Sequence, residues 1–173
     1  MEKTDEPLSG EEILDEVKRS LRSRDVVNVE EERVKVVVFT LGEGRYAFLG
    51  ADIREIISGC RVFPVPSLPG SLPGLINVRG DIESAVDLRY FLGGGGAAPE
   101  KALIAMAVRG QFKSGIIIDS VEDVADLPVS RVKPPLETLA GAARELAAGE
   151  IELEDGRTAT LLDIEKLAAK VTL

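Results

Sequence analysis

The chain has 173 residues, 45% of them hydrophobic, which is enough for one domain or two small ones with a sizeable core. Its net charge of −9 argues against broad attraction to nucleic acid or to an anionic membrane. With no His and a single Cys60, it has no Ser-His-Asp triad, no Cys-His pair, no His-ligated metal and no internal disulfide. Aromatic residues are only 4%, with no Trp, so a strand-rich core must rest on Val, Ile and Leu. No apolar run approaches the roughly 18 residues of a membrane span, and Met1–Glu6 lacks the order of a signal peptide. These features point to a cytoplasmic protein with no cofactor and no bound metal. Cys60, between Gly59 and Arg61, reads as a packed small residue, although Arg61 would lower its pKa if it faced the thiol.

Residues 1–33 form a charged extension. Ser9 and Glu12 make a capping-box pattern, and Ile13, Leu14, Val17 and Leu21 recur at helical spacing. A helix over about 10–23 follows, with a narrow apolar stripe that either docks on the body, meets a partner or frays. From Val34 the pattern turns to strands. Val34–Leu41 is β-branched, Gly42-Glu43-Gly44 signals a turn, and Arg45–Leu49 returns. Gly42–Ala47 also spells a G-x-G-x-x-A string. A dinucleotide loop needs a long helix directly after the glycines, and a strand-like segment stands there instead. Asp52–Ile57 reads as a strand. Four prolines (Pro64, Pro66, Pro69 and Pro73) stiffen the loop after it. Asp81–Val86 is a strand, Asp87–Leu92 a helical turn, and Gly93–Pro99 a flexible linker.

The second half repeats the first. Ala102–Val108 and Phe112–Ile118 form another hairpin around Arg109-Gly110-Gln111. Asp119–Val124 echoes Asp52–Ile57, Gly149–Leu153 echoes Gly74–Val78, and Leu162–Leu167 echoes Val86–Phe91, with a loop insertion at 140–148. A unit of about five short strands is too long for a propeller blade or solenoid repeat. Two small barrels explain it, because closure removes exposed sheet edges. Their cores fall at about 51–92 and 102–163, with strands partly shared. Asp163 would cap a closing helix over 164–171, with Ile164, Leu167, Ala168 and Val171 inward.

Pro73–Gly80 stands out within this plan. It reads as a turn, a short strand and another turn, with Asn77 and Arg79 on one face and Ile76 and Val78 on the other. The flanking glycines permit close backbone approach or positive φ. The second half has Glu152-Leu153-Glu154-Asp155 at the matching place. A requirement of the fold would be shared by both halves, so Asn77 and Arg79 suggest a binding role. An Arg held between two turns suits a partner carboxylate.

These segments, taken in order, resemble the CheW family of chemotaxis coupling proteins over about residues 34–173. The carriers are Phe39-Thr40-Leu41-Gly42, Asp52-Ile53-Arg54-Glu55-Ile56, Pro64-Val65-Pro66, Gly74–Gly80 and Val86-Asp87-Leu88-Arg89. Gly115–Val121 and Leu161–Leu167 complete the series. The resemblance implies a mostly β fold, two five-stranded SH3-like β-barrels packed side by side, with an N-terminal helical extension and a C-terminal helix. It implies a non-enzymatic adaptor that couples transmembrane chemoreceptors to a CheA-type histidine kinase. Its partners would be the receptor's cytoplasmic tip and the kinase's regulatory domain, with no nucleic acid and no membrane insertion. The protein would be cytoplasmic and recruited to membrane receptor arrays. Carried onto this chain, the receptor groove would hold Ile53, Glu55, Gly74, Asn77, Arg79 and Gly80, and the kinase contact would lie near Ala51, Ile56 and Ile57. Arg79 then pairs either with an acidic side chain of the receptor helix or with Glu55. The same fold also serves receptor–kinase systems outside chemotaxis, which is the alternative reading. An enzyme with a carboxylate site at Asp52 and Glu55 is the third. The sequence departs from the family pattern at Ser84-Ala85, where a Pro is usual, at Val78, where Leu is commoner, and in its longer N-terminal extension.

Overall fold

The computed structural model describes residues 9–22, 31–94 and 99–171, without the side chains of 20–22. Most of the Ser23–Arg33 connector, the Leu21 side chain and 95–98 of the glycine-rich linker lie outside those residues. In chain order the elements are α1 (Gly10–Arg22), β1 (Arg33–Leu41), β2 (Gly44–Leu49), β3 (Ile53–Arg61), β4 (Phe63–Pro64), β5 (Gly74–Val78) and β6 (Asp81–Asp87). Then come α2 (Arg89–Leu92), β7 (Lys101–Arg109), β8 (Phe112–Ile118), β9 (Ser120–Pro128), β10 (Val132–Lys133), α3 (Gly141–Leu146), β11 (Ala147–Glu152), β12 (Thr158–Leu162) and α4 (Ile164–Val171). Single 3-10 turns at Gly50–Asp52 and Val129–Arg131 lead into β3 and β10.

The strands form two curled sheets, each a half-barrel. The first runs β10-β11-β12-β2-β1-β9 and the second β3-β7-β8-β6-β5-β4. Each has five principal strands plus a strand of two residues, β10 or β4. The leading hairpin of each half sits in the other half's sheet. Hairpin β1–β2 is flanked by β9 and β12, and hairpin β7–β8 by β3 and β6. The exchange is symmetric. β12 joins β2 in parallel (Leu161 opposite Ala47), and β6 joins β8 in parallel (Val86 opposite Ile116).

This exchange explains why the hairpins read as unbroken apolar runs. They are buried on both faces, as parallel-sheet strands are. Val36 and Val38 fill the first barrel with Leu127, Ile151 and Leu161. Phe39 and Leu41, from the same strand, face the space between the sheets. Likewise Ile104, Met106 and Ile117 fill the second barrel, while Ala105, Ala107, Ile116 and Ile118 face the shared layer. Phe39 stacks on Phe48 there at 4.8 Å between centroids, and α4 closes the layer with Ile164 and Leu167. Among the described residues, edge strands β3 and β9 have no second partner strand and stay half-exposed.

In both halves an Asp braces the start of a helix. Asp87 accepts hydrogen bonds from the Arg89 backbone and its guanidinium, and Asp163 accepts from the Glu165 N–H at 2.9 Å and the Lys166 N–H at 3.4 Å. The N-terminal helix docks. Ser9 and Glu12 close a reciprocal capping box, and Leu14 is buried in the first barrel's core. Ile13 and Val17 flank it over Val34, Leu49 and Val132. Cys60 is free and buried, and burial pushes its thiol pKa up. Arg61 does not counter this, because its guanidinium lies over the Phe63 ring, 5.1 Å from the centroid.

Candidate functional site

The second sheet curls so that its edge strand β3 approaches the β5–β6 hairpin. There the structure corrects the strand reading of Arg79. Strand β5 stops at Val78, which pairs with Asp81, so Arg79 and Gly80 are the two corner residues of a tight hairpin. Both have positive φ, +54° and +92°. Two positive φ values are the mark of a type I′ turn, whose twist matches that of the flanking strands. Asn77 is exposed at the end of the strand, and its Oδ1 accepts the Gly80 N–H at 2.8 Å, which braces the corner.

From that corner Arg79 reaches across to β3. Its Nη1 donates to Glu55 Oε1 at 3.1 Å and its Nη2 to Oε2 at 2.6 Å, a two-pronged pair. The Arg79 side chain remains 79% exposed, while Glu55 is 21% exposed. Glu55 thus acts as a seat, and the guanidinium keeps donors facing outward. Chemically this is a seated ion pair whose guanidinium has N–H groups left over for a second carboxylate.

The other predicted residues fall in different places. Gly74 stands at the far end of β5, where a Cβ would sit 2.1 Å from the Phe63 carbonyl oxygen, so it is required by the β4–β5 approach. A bulge separates Ile53 from Glu55, and Ile53 leans on the layer between the sheets. Ile57 packs on the second barrel's interior, Ile56 is exposed on the opposite face of β3, and Ala51 is exposed in the preceding 3-10 turn. The structure therefore brings together Glu55, Asn77, Arg79 and Gly80, and sets the others around or behind them. One residue escaped the sequence reading. Ile82 is directly opposite Asn77 and 62% exposed, an apolar side chain on the same hairpin that carries Arg79. Its signal was an isoleucine bracketed by Asp81 and Glu83 at a position that alternation places outward.

Asp52 and Glu55 do not form a paired acid site. Asp52 is buried and bonded by Arg109 at 3.1 Å, whereas Glu55 is bonded by Arg79. Burial raises the Asp52 carboxyl above its ordinary pKa, with Arg109 opposing the rise. Among the described residues, no group of three or more His, Cys, Asp or Glu is placed to hold a metal.

A family model described as a CheW-like domain matches residues 35–172. The chain belongs to the CheW-like family. It is 32% identical over 132 residues to the chemotaxis protein CheW of Klebsiella aerogenes, covering 76% of this chain and 79% of the relative. It is 29% identical over 133 residues to protein FrzA of Myxococcus xanthus, covering 75% of this chain and 81% of the relative. The crystal structure of the scaffolding protein TtCheW from Thermoanaerobacter tengcongensis shares the fold. Its TM-score is 0.67 at 24% identity, covering 76% of this chain and 89% of that one. The CheW-like match begins two residues into β1, so α1 is an addition in front of the family's domain. No helix among the described residues is long and apolar enough to cross a membrane.

Proposed function

We propose that this CheW-like protein is a non-enzymatic adaptor that couples chemoreceptors to a CheA-type histidine kinase at membrane receptor arrays. Its receptor groove is centred on the Glu55–Arg79 pair. The observation that carries this reading is the Arg79 corner. A non-glycine residue at φ +54° is held by two hydrogen bonds, yet leaves 79% of its side chain in solvent. In a stability-only role, Asn or Gly suits such a corner better. The cation, on a hairpin that also exposes Ile82 and Asn77, suits one acidic, amphipathic helix of a receptor tip. Ile53, Gly74 and Gly80 shape that groove, and Ala51, Ile56 and Ile57 lie toward the kinase contact.

The test is co-purification of the full chain with a CheA-type kinase and a soluble fragment of a receptor's cytoplasmic helical tip. Arg79→Ala and Glu55→Ala are expected to weaken receptor association by roughly 1–3 kcal/mol, because the pair becomes desolvated in the complex. Unchanged association in both variants, or no association of the unaltered protein with either partner, would sink the reading.

A further inference from the structure

A cluster of charges lies between the docked helix α1 and the start of β3. Arg109, at the end of β7, is only 9% exposed, and so is its partner Asp52 at 10%. Asp52 sits in the 3-10 turn where the chain crosses from the first sheet to the second, one residue before β3 begins. Arg109 Nη1 donates to both Asp52 oxygens, at 3.1 and 3.4 Å. Its Nε lies 3.6 Å from Glu165 Oε2, beyond a hydrogen bond, and Nε and Nη2 are buried with no hydrogen-bond partner among the described residues. Asp163 Oδ2 is likewise buried, with no hydrogen-bond partner among the described residues. Asp163's charge adds to the burial that raises Asp52.

Donors and acceptors that go unpaired in the same buried region make a cluster sensitive to small movements, because each lost hydrogen bond there carries a full desolvation cost. The element that can move it is the start of α4, where Asp163 caps the helix and Glu165 and Lys166 lie in its first turn. Helix α1 rests directly on that turn. A Cβ at Gly10 would stand 2.8 Å from Asp163 Oδ2, and Lys166 Nζ donates to Glu11 Oε1 at 3.1 Å.

We propose that Arg109 is a positioning residue through which the docked N-terminal helix sets the placement of β3, and with it the Glu55–Arg79 surface. Docked α1 holds the α4 turn, the turn holds Glu165 against Arg109, and Arg109 holds Asp52 at the root of β3. This rests on the adaptor reading only for its binding consequence.

The test is a cycle on the full chain. Gly10→Val pushes α1 off Asp163. Asp52→Asn with Arg109→Met removes both charges together, so that neither is left buried alone. Binding is read by titration with a soluble receptor-tip hairpin, and backbone placement by hydrogen exchange at residues 53–57. Gly10→Val is expected to weaken binding five- to ten-fold and to speed exchange in β3. In the Asp52→Asn/Arg109→Met background it should change binding less than two-fold and leave β3 exchange unchanged, because the link is already cut. Arg109→Lys, which keeps a cation on Asp52, should bind within three-fold of the unaltered protein. Effects of Gly10→Val that multiply with those of the double variant, or exchange changes confined to α1 and β11, would overturn the proposal. Should the unaltered chain fail to bind the hairpin, the adaptor reading falls, and the exchange arm still decides the coupling.

Discussion

Arg79 shows how one residue's backbone and side chain serve different ends. A left-handed conformation costs a non-glycine residue about 1–2 kcal/mol, less for Asn. An ion pair as exposed as Arg79–Glu55 returns about 0–1 kcal/mol in the free protein. The corner therefore gains little from arginine as an element of folding. Two substitutions separate the terms. Arg79→Ala and Arg79→Asn both remove the pair with Glu55, but only Asn suits the positive φ. Arg79→Asn is expected to be more stable than Arg79→Ala by about 1 kcal/mol, read as a higher urea midpoint at unchanged slope. Equal midpoints would mean that the corner carries no backbone strain. The sequence pattern marks a turn here but sets Arg79 on the strand, because Asn77-Val78-Arg79 alternates like one and an Arg-Gly turn lacks the Asn-Gly signature. The flanking glycines serve the two purposes that the sequence predicts. Gly74 permits close approach and Gly80 a positive φ.

At the scale of elements, local pattern was a good guide and pairing was not. The helix at the N-terminus, both leading hairpins and the cap at Asp163 follow from spacing and turn residues, and each formed where expected. The hairpin exchange, by contrast, depends on contacts between residues far apart in the chain, for which a single sequence holds no direct sign. Its indirect sign was the apolar runs of β1, β7 and β8, which alternate too little for strands with one wet face. One such long-range tie joins β2, β9 and the β11–β12 turn. Arg45 Nε donates to Glu122 at 2.5 Å, Arg157 lies 3.4 Å from the same carboxylate, and Arg157 also bonds Asp155. The Arg45 hydrogen bond is the main cause holding the Glu122 carboxyl below its ordinary 4.5. A carboxyl whose pKa is lowered by folding stabilises the native state above its unfolded value. That contribution fades as pH falls through the folded value. The protein should therefore lose thermal stability as pH drops below about 4.5, and Glu122→Gln should flatten that part of the profile while slightly lowering Tm at pH 7. An identical acid slope in the variant would show that Glu122 is not a contributor.

The whole molecule is one folding unit because of the exchange. Residues 31–94 contain β1 to β6, yet β1 lacks β9, β2 lacks β12, β3 lacks β7 and β6 lacks β8. What remains is the β1–β2 hairpin, a lone β3 and the β4–β5–β6 meander, and isolated hairpins are marginal in water. Residues 99–171 are cut in the same way. The layer between the sheets is also divided, since Phe39 and Phe48 come from the first part and Ile116, Leu162 and Leu167 from the second. The full chain should thus unfold in urea in a single transition, with far-ultraviolet dichroism and tyrosine fluorescence coincident. Fragments 31–94 and 99–171 should each lack a cooperative transition alone and regain sheet dichroism when mixed, because every missing neighbour is supplied by the other. A fragment that melted cooperatively by itself would mean that its strands can re-pair into a barrel of their own. In that case the shared layer, which α4 closes with Ile164 and Leu167, would be a contact between two folded bodies rather than the core of one.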